Sequence, residues 1–375
     1  MAELFGVCDE RFSSVRELLS ASIDRGDDVG ASFALTIEGE MVIDLWGGHL
    51  DEARTQPWQQ DTIVNVYSST KTMSFLCALL LADRGQLDFD RHVCDYWPEF
   101  AQNGKQQVKV WHFMNHAAGL SGMDEHMTPQ DMYDWDKMVS TLAAQAPWWE
   151  PGSVSGYHAL TQGYLIGELV RRITGKSLGT YFQEEIAAPL NADFHIGVPE
   201  SEFPRIGLLI PAGDGSSPSA DEDSIAGRTF ASPFAPASES WTDEWRRAEI
   251  PAANGHSNAR AIARLQAPLA CKGSAFGVDL FSKETAESVM QPRISGTDLV
   301  LGVPIAFGLG FGLNSEVMPL SPNQNTCFWG GWGGSSVVVD QDASLSASFV
   351  MNKMFPGLMG DTRSFGLLQA VYQSL

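Results

Sequence analysis

The chain has 375 residues, 44% hydrophobic and 19% charged, a globular balance long enough for two structural lobes around a large core. Forty-six acidic against 24 basic residues leave a net charge of −22, which repels nucleic acid and anionic membrane surfaces and excludes both as expected partners. The five cysteines (Cys8, Cys77, Cys94, Cys271, Cys327) form no C-x-x-C pair, MAELFGVCDERF at the N-terminus has early acids and no apolar run, and the longest apolar run, Phe75 to Ala82, is too short to span a bilayer, so a cytoplasmic protein with free thiols is expected.

Phe12 to Ile23 places Phe12, Val15, Leu18, Leu19 and Ile23 at helical spacing, which predicts an amphipathic helix. Ala31 to Ile37 and Met41 to Trp46 are β-rich runs separated by Glu38-Gly39-Glu40, a hairpin signal. From Met73 to Ala82 almost every residue is apolar, so a helix buried on all sides is expected there, stopped by Gly85. Val110 to Ala118, Met132 to Ala144, Gly163 to Ile173 and Leu178 to Ala187 read as further helices, with a loop at Pro147 to Gly152. Pro211 to Pro236 is rich in Gly, Ser, Pro and Asp and is expected to be a long irregular segment of the kind that covers sites. Another helix is predicted at Asn258 to Ala270, then strands at Gly308 to Gly312, Val337 to Asp340 and Leu345 to Asn352, then a helix from Ser364 to Tyr372. Strands, helices, then strands again predict an α/β (α+β) fold in which both chain ends share one antiparallel sheet flanked by helices. The expected division is a sheet lobe, residues 1–60 plus 250–375, and a mostly helical lobe, residues 61–249, within one domain.

The buried helix opens on Ser68-Ser69-Thr70-Lys71. Residues three apart share a helix face, so the Lys71 amine can reach the Ser68 hydroxyl, and the free N–H groups of a first turn stabilise nearby negative charge. Of the eight lysines, only Lys71 has a serine three residues before it, and it leads into the most apolar helix, where an unpaired ammonium is costly. Ser68 and Lys71 therefore form a candidate activated nucleophile. Its proton traffic needs a second polar group, and Tyr157, on a turn after Pro151-Gly152-Ser153-Val154-Ser155-Gly156, offers a phenol whose ionisation a nearby ammonium would ease. Toward the C-terminus, Trp329-Gly330-Gly331-Trp332-Gly333-Gly334-Ser335 lets backbone approach a ligand closely. N–H groups there could form half of an oxyanion hole, with the Ser68 N–H as the other half. Trp148, Trp149, Trp329 and Trp332 flank these motifs and could wall an apolar pocket.

Two decoys are set aside. His112 and His116 are four apart, but Phe113 stands where a zinc protease needs Glu, so no metal site is expected. Gly255-His256-Ser257-Asn258-Ala259 ends in Ala where a nucleophile elbow ends in Gly, which argues against Ser257.

With these motifs the chain resembles the serine β-lactamase and penicillin-binding fold, closest to class C enzymes and their relatives, the family VIII carboxylesterases. The resemblance spans most of the chain: Ser68 to Lys71, Asn115-His116-Ala117-Ala118-Gly119-Leu120, Pro151-Gly152 before Tyr157, Asn254-Gly255-His256, Gly308 to Gly312 and the final Gly-rich strand. It implies Ser68 as nucleophile, Lys71 as its base, Tyr157 as third catalytic residue and the Trp332 N–H as second oxyanion donor, with Trp149, Trp329, Gly330 and Gly331 at the substrate. Ala159 stands where class C enzymes carry the Asn of Tyr-x-Asn, and Trp329-Gly330-Gly331 where they carry Lys-Thr-Gly. Both departures favour an esterase acting on short- to medium-chain carboxylic esters, without cofactor, over a β-lactamase. An acyltransferase would use the same acyl-enzyme, and the oligomeric state is left open.

Overall fold

The computed structural model describes residues 2–213 and 221–375. Among the described residues, nine strands form one sheet: β1 (Leu4–Cys8), β2 (Gly30–Ile37), β3 (Glu40–Gly48), β4 (Ile294–Thr297), β5 (Pro304–Phe307), β6 (Gly312–Leu313), β7 (Thr326–Gly330), β8 (Ser336–Asp340) and β9 (Leu345–Met351). Their order is β1-β3-β2-β9-β8-β7-β6-β5-β4, with every neighbouring pair antiparallel. The predicted hairpin is β2–β3, and β9 closes the sheet by pairing Leu345 with Ile37 through Met351 with Ala31, joining the two chain ends.

Both faces of the central strands are covered. The Ser346 hydroxyl bonds the Ala263 carbonyl of α5 (Ala259–Ala270), while Phe349, odd-numbered and so on the opposite face, lies under the Arg363 guanidinium of α6 (Thr362–Gln373). Helix α1 (Ser13–Arg25) packs beside α6. Burial on both sides explains why β9 is wholly buried and carries no charged residue, its two serines bonding backbone carbonyls.

The buried helix, α2 (Lys71–Asp83), is buried from Lys71 through Leu81 and packs on α3 (Thr161–Thr174). Tyr67–Thr70 precede it as a 3-10 turn. No described helix is long and apolar enough to cross a membrane.

Several expectations are corrected. Gly308 to Phe311 is the turn between β5 and β6 rather than a strand, which begins only at Gly312, because Gly310, at φ +89°, sits against the Phe75 ring of α2 where a side chain would clash. Val110 to Ala118 is helical only over Val110–Met114, since His116 adopts a left-handed backbone. The segment Pro211 to Pro236 is not irregular throughout: Ile225–Ala231 is a helix, α4, whose Ser224 cap accepts the Gly227 N–H at 3.0 Å. The 214–220 part of that expectation lies outside the described residues. Strands β1 and β4 escaped the sequence reading because both lie at sheet edges with mostly exposed side chains, so neither shows apolar alternation.

Candidate active site

The 3-10 turn before α2 sets the site. Residues i and i+3 eclipse in such a turn, so Ser68 and Lys71 face the same way. The Lys71 Nζ lies 3.2 Å from Ser68 Oγ, 2.6 Å from the Ala159 carbonyl and 2.9 Å from the Ala252 carbonyl, and the side chain is fully buried. Among the described residues no carboxylate pairs with it. Burial therefore holds the amine well below the ordinary lysine pKa. The geometry suits the neutral form: a neutral amine has two N–H groups, matching the two carbonyls, and a lone pair left for the Ser68 hydroxyl.

Tyr157 comes from the turn before α3, and its hydroxyl lies 2.5 Å from Ser68 Oγ. Here the sequence expectation needs correction. Desolvation by burial raises the phenol pKa above its ordinary value, opposed by the Ser68 hydrogen bond and reinforced by the Asp298 charge. An ammonium was expected to lower it, but Lys71 is itself driven toward the neutral amine. Tyr157 is thus a protonated phenol, and the natural chain of donors runs from the Tyr157 hydroxyl to Ser68 Oγ and from the Ser68 hydroxyl to Lys71 Nζ.

The turn carrying Tyr157 is pinned by residues to which the sequence assigned no part in the site. Asp298, fully buried between β4 and β5, accepts the N–H groups of Tyr157, Val300 and Leu301, each at 2.9 Å, on one carboxylate oxygen. His116 Nδ1 accepts the His158 N–H at 3.0 Å, and its ring lies edge-on to Tyr157, centroids 5.0 Å apart. His158 Nδ1 meets the Gly156 carbonyl at 2.6 Å. Burial lowers both imidazole pKa values, that of His158 to about 3, so both rings stay neutral and serve as hydrogen-bonding struts.

The end of β7 runs beside the nucleophile. A Cβ on Gly331 would stand 2.2 Å from the Val66 carbonyl oxygen and 3.3 Å from Ser68 N, so only glycine lets this backbone approach the Ser68 amide. The Ser335 hydroxyl, bonded to Ser69 Oγ and the Val66 carbonyl at 2.8 Å each, ties the two segments together.

A pocket of ≈ 590 Å³, counting its open mouth, lies over Ser68 and Tyr157. Trp332, Trp245, Phe230, Phe234, Leu160 and Leu358 contribute to its wall, and among the described residues none of its lining side chains is charged. Of the four tryptophans expected at the wall, Trp332 lines it, Trp148, Trp149 and Trp329 do not, and Trp245 takes part instead. Trp329 is 1% exposed and stands behind the pocket, against Tyr157 and His116 at 5.7 and 5.5 Å between centroids. Trp149 packs on Gly156 and donates its indole N–H to the Val154 carbonyl at 3.0 Å. Gly330 faces the Met359–Gly360 backbone, and with Gly331 it serves close chain packing rather than lining the wall. Ser257 is fully buried, its hydroxyl on the Asp193 carbonyl at 2.8 Å, and does not line the pocket. Ala159 and Ala252 matter through carbonyl oxygens, which carry no side-chain signature in a sequence.

A beta-lactamase family model matches residues 15–371. The chain belongs to the beta-lactamase family. Within that family it is 40% identical to a protein solved as the crystal structure of a family VIII carboxylesterase, with a TM-score of 0.94 and complete coverage of both chains. A penicillin-binding protein homolog from Caulobacter crescentus is equally 40% identical, with a TM-score of 0.93 over all of both chains. Among curated relatives, the esterase/beta-lactamase LipL of Mycobacterium tuberculosis is 34% identical, the match covering 99% of this chain and 88% of LipL.

Proposed function

We propose that this beta-lactamase family member is a serine carboxylesterase that hydrolyses short- to medium-chain esters through an acyl-enzyme on Ser68. The observation carrying this reading is a buried Ser68–Lys71–Tyr157 cluster opening onto a pocket that has no charged lining residue among those described. A neutral ester fits such a wall, whereas the carboxylate of a β-lactam would be desolvated without a cation to meet it.

In this mechanism the Ser68 oxygen attacks the ester carbonyl carbon while its proton passes to neutral Lys71. The tetrahedral oxyanion is held by the N–H groups of Ser68 and Trp332. The C–O bond to the alcohol then breaks, the Tyr157 hydroxyl protonates the leaving oxygen, and the Lys71 ammonium gives its proton to the resulting phenolate, leaving a neutral amine and phenol beside the acyl-enzyme. Water attacks the acyl-enzyme by the reverse relay and releases the acid. The sheet lobe (1–60 and 250–375) and the mostly helical lobe (61–249) act in this reading as parts of one domain. A cytoplasmic location belongs to the same proposal, supported by five free thiols.

The test is a comparison of p-nitrophenyl butyrate with nitrocefin, each with and without a competing alcohol. Losing a charged hydrogen-bond partner typically costs about 1.5–3 kcal/mol, or one to two decades in rate. The butyrate ester should therefore be favoured in kcat/KM by at least about one decade. Equal values would overturn the ester assignment, and dominant transfer to the alcohol would reassign the enzyme as an acyltransferase.

A further inference from the structure

The turn after β7 carries two consecutive glycines in left-handed backbone, Gly333 at φ +95° and Gly334 at φ +129°. Glycines in such conformations have no side chain to hold them, so their geometry must be imposed by neighbours. Gly333 is held from both sides: its N–H donates to the Gly357 carbonyl at 3.2 Å, and its carbonyl accepts the Phe355 N–H and Arg363 Nη2, both at 2.9 Å. Arg363 is the charged member of this set and is 5% exposed.

The place of Arg363 is unusual for a cation, because it sits in the first turn of α6, where the helix dipole disfavours positive charge. Two carboxylates explain it. Asp28 accepts Nη1 at 2.6 Å, and Asp361 accepts Nη2 at 2.6 Å and Nε at 3.1 Å. Nη1 also donates to the Lys353 carbonyl at 2.8 Å, and the Phe355 ring lies 3.9 Å beneath the guanidinium. A Cβ on Gly334 would fall 2.3 Å from Asp361 Oδ2 and 2.5 Å from Arg363 Nη2, so the ion pair packs directly on the glycine backbone. Trp332, whose N–H is the second oxyanion donor in the proposed mechanism, is the residue immediately before this clamp.

We infer that Arg363, gripped by Asp28 and Asp361, is a positioning residue that holds the Trp332 turn in register with Ser68, so that the Trp332 N–H meets the oxyanion. This rests on the Ser68 mechanism above. A guanidinium is required because one planar fork reaches both carboxylates and two carbonyls, whereas a lysine ammonium cannot span them.

The test compares Arg363→Lys, Arg363→Met and wild type in p-nitrophenyl butyrate turnover, with active Ser68 counted by fluorophosphonate labelling. Affinity for an alkyl trifluoromethyl ketone, whose serine adduct places an oxyanion in the hole, is measured alongside. Loss of an oxyanion donor costs about 10²–10³ in kcat, so a misplaced one should lower kcat per labelled serine at least about 10-fold in both variants. KM should stay within about twofold, because the effect falls on the transition state. Ketone affinity should weaken by the same factor as kcat/KM, and Lys should not rescue. If Arg363 variants do not fold, Asp361→Asn serves in their place, since Asn caps α6 equally well yet releases Nη2, and the same signature is expected. Wild-type kcat per labelled serine and unchanged ketone affinity in these variants, with only a lowered Tm, would reduce Arg363 to a structural ion pair and overturn the inference. A wild-type label landing on a serine other than Ser68 would instead overturn the underlying mechanism.

Discussion

At the scale of residues, the proposed chemistry depends most on Lys71 being a buried amine without a counter-charge among the described residues. Its lowered pKa means the base form persists to lower pH than in an ordinary lysine and is lost on acidification. Ester turnover should therefore be flat through the alkaline range and fall as pH drops through the lowered Lys71 pKa, read as a single ionisation in kcat/KM. Stability carries the same sign. The unfolded chain holds the Lys71 proton up to about 10.4 while the folded chain does not, so the Lys71 contribution is greatest above that pH and falls as pH drops toward the folded value. Lys71→Met removes this term, so its stability relative to wild type should rise as pH falls below about 10 toward the lowered folded value, by up to about 1.4 kcal/mol per pH step. Denaturant melts of both proteins at each pH decide it, and a pH-independent gap would contradict a neutral Lys71. Tyr157→Phe keeps the ring packing but removes the donor, and kcat should fall by about two decades or more. Ser68, Lys71 and Tyr157 were legible because local spacing and turn context mark them. Asp298, His116 and the Ala159 and Ala252 carbonyls were not, since they reach the site across long stretches of chain or through backbone atoms alone.

At the scale of elements, the site is a junction between the 3-10 turn before α2 and the end of β7. Gly331 is where they touch, so Gly331→Ala forces a Cβ to within 2.2 Å of the Val66 oxygen and 2.3 Å of Ser335 Oγ. Overpacking of this kind costs about 1–3 kcal/mol, and activity should fall more than stability does, because the displaced strand carries the Trp332 N–H. Activity per folded molecule equal to wild type would show that the close approach is not needed. The α4 segment behaves differently. Phe234 is 39% exposed at the pocket mouth, so Phe234→Ala should change Tm little while shifting preference toward longer acyl chains in an ester series. The β2–β3 hairpin and α2 could be read from sequence because β2 and α2 are buried along nearly their whole length and Glu38-Gly39-Glu40 marks the turn between the strands. Helix α4 could not: Thr229 is the one buried residue in it, so no apolar stripe announces it.

At the scale of the whole molecule, the strand-helix-strand order was enough to anticipate an antiparallel sheet joined from both chain ends, whereas strand order at the far edge depends on short, exposed strands with weak patterns. A net charge of −22 acts across this fold as self-repulsion, so Tm at pH 7 should rise as salt increases from about 10 to 200 mM, where screening shortens from about 30 Å to below 10 Å. A Tm that falls with salt would mean that the surface ion pairs outweigh the net repulsion. In the proposed mechanism all of the chemistry converges on the Ser68 oxygen, which makes the central claim directly testable. Wild-type protein, Ser68→Ala and Ser257→Ala are each treated with a fluorophosphonate probe, weighed intact and mapped by peptide. The account predicts one label per chain on Ser68, its absence in Ser68→Ala together with loss of ester hydrolysis, and near-normal labelling and turnover in Ser257→Ala. A label on Ser257, or full esterase activity in Ser68→Ala, would contradict it.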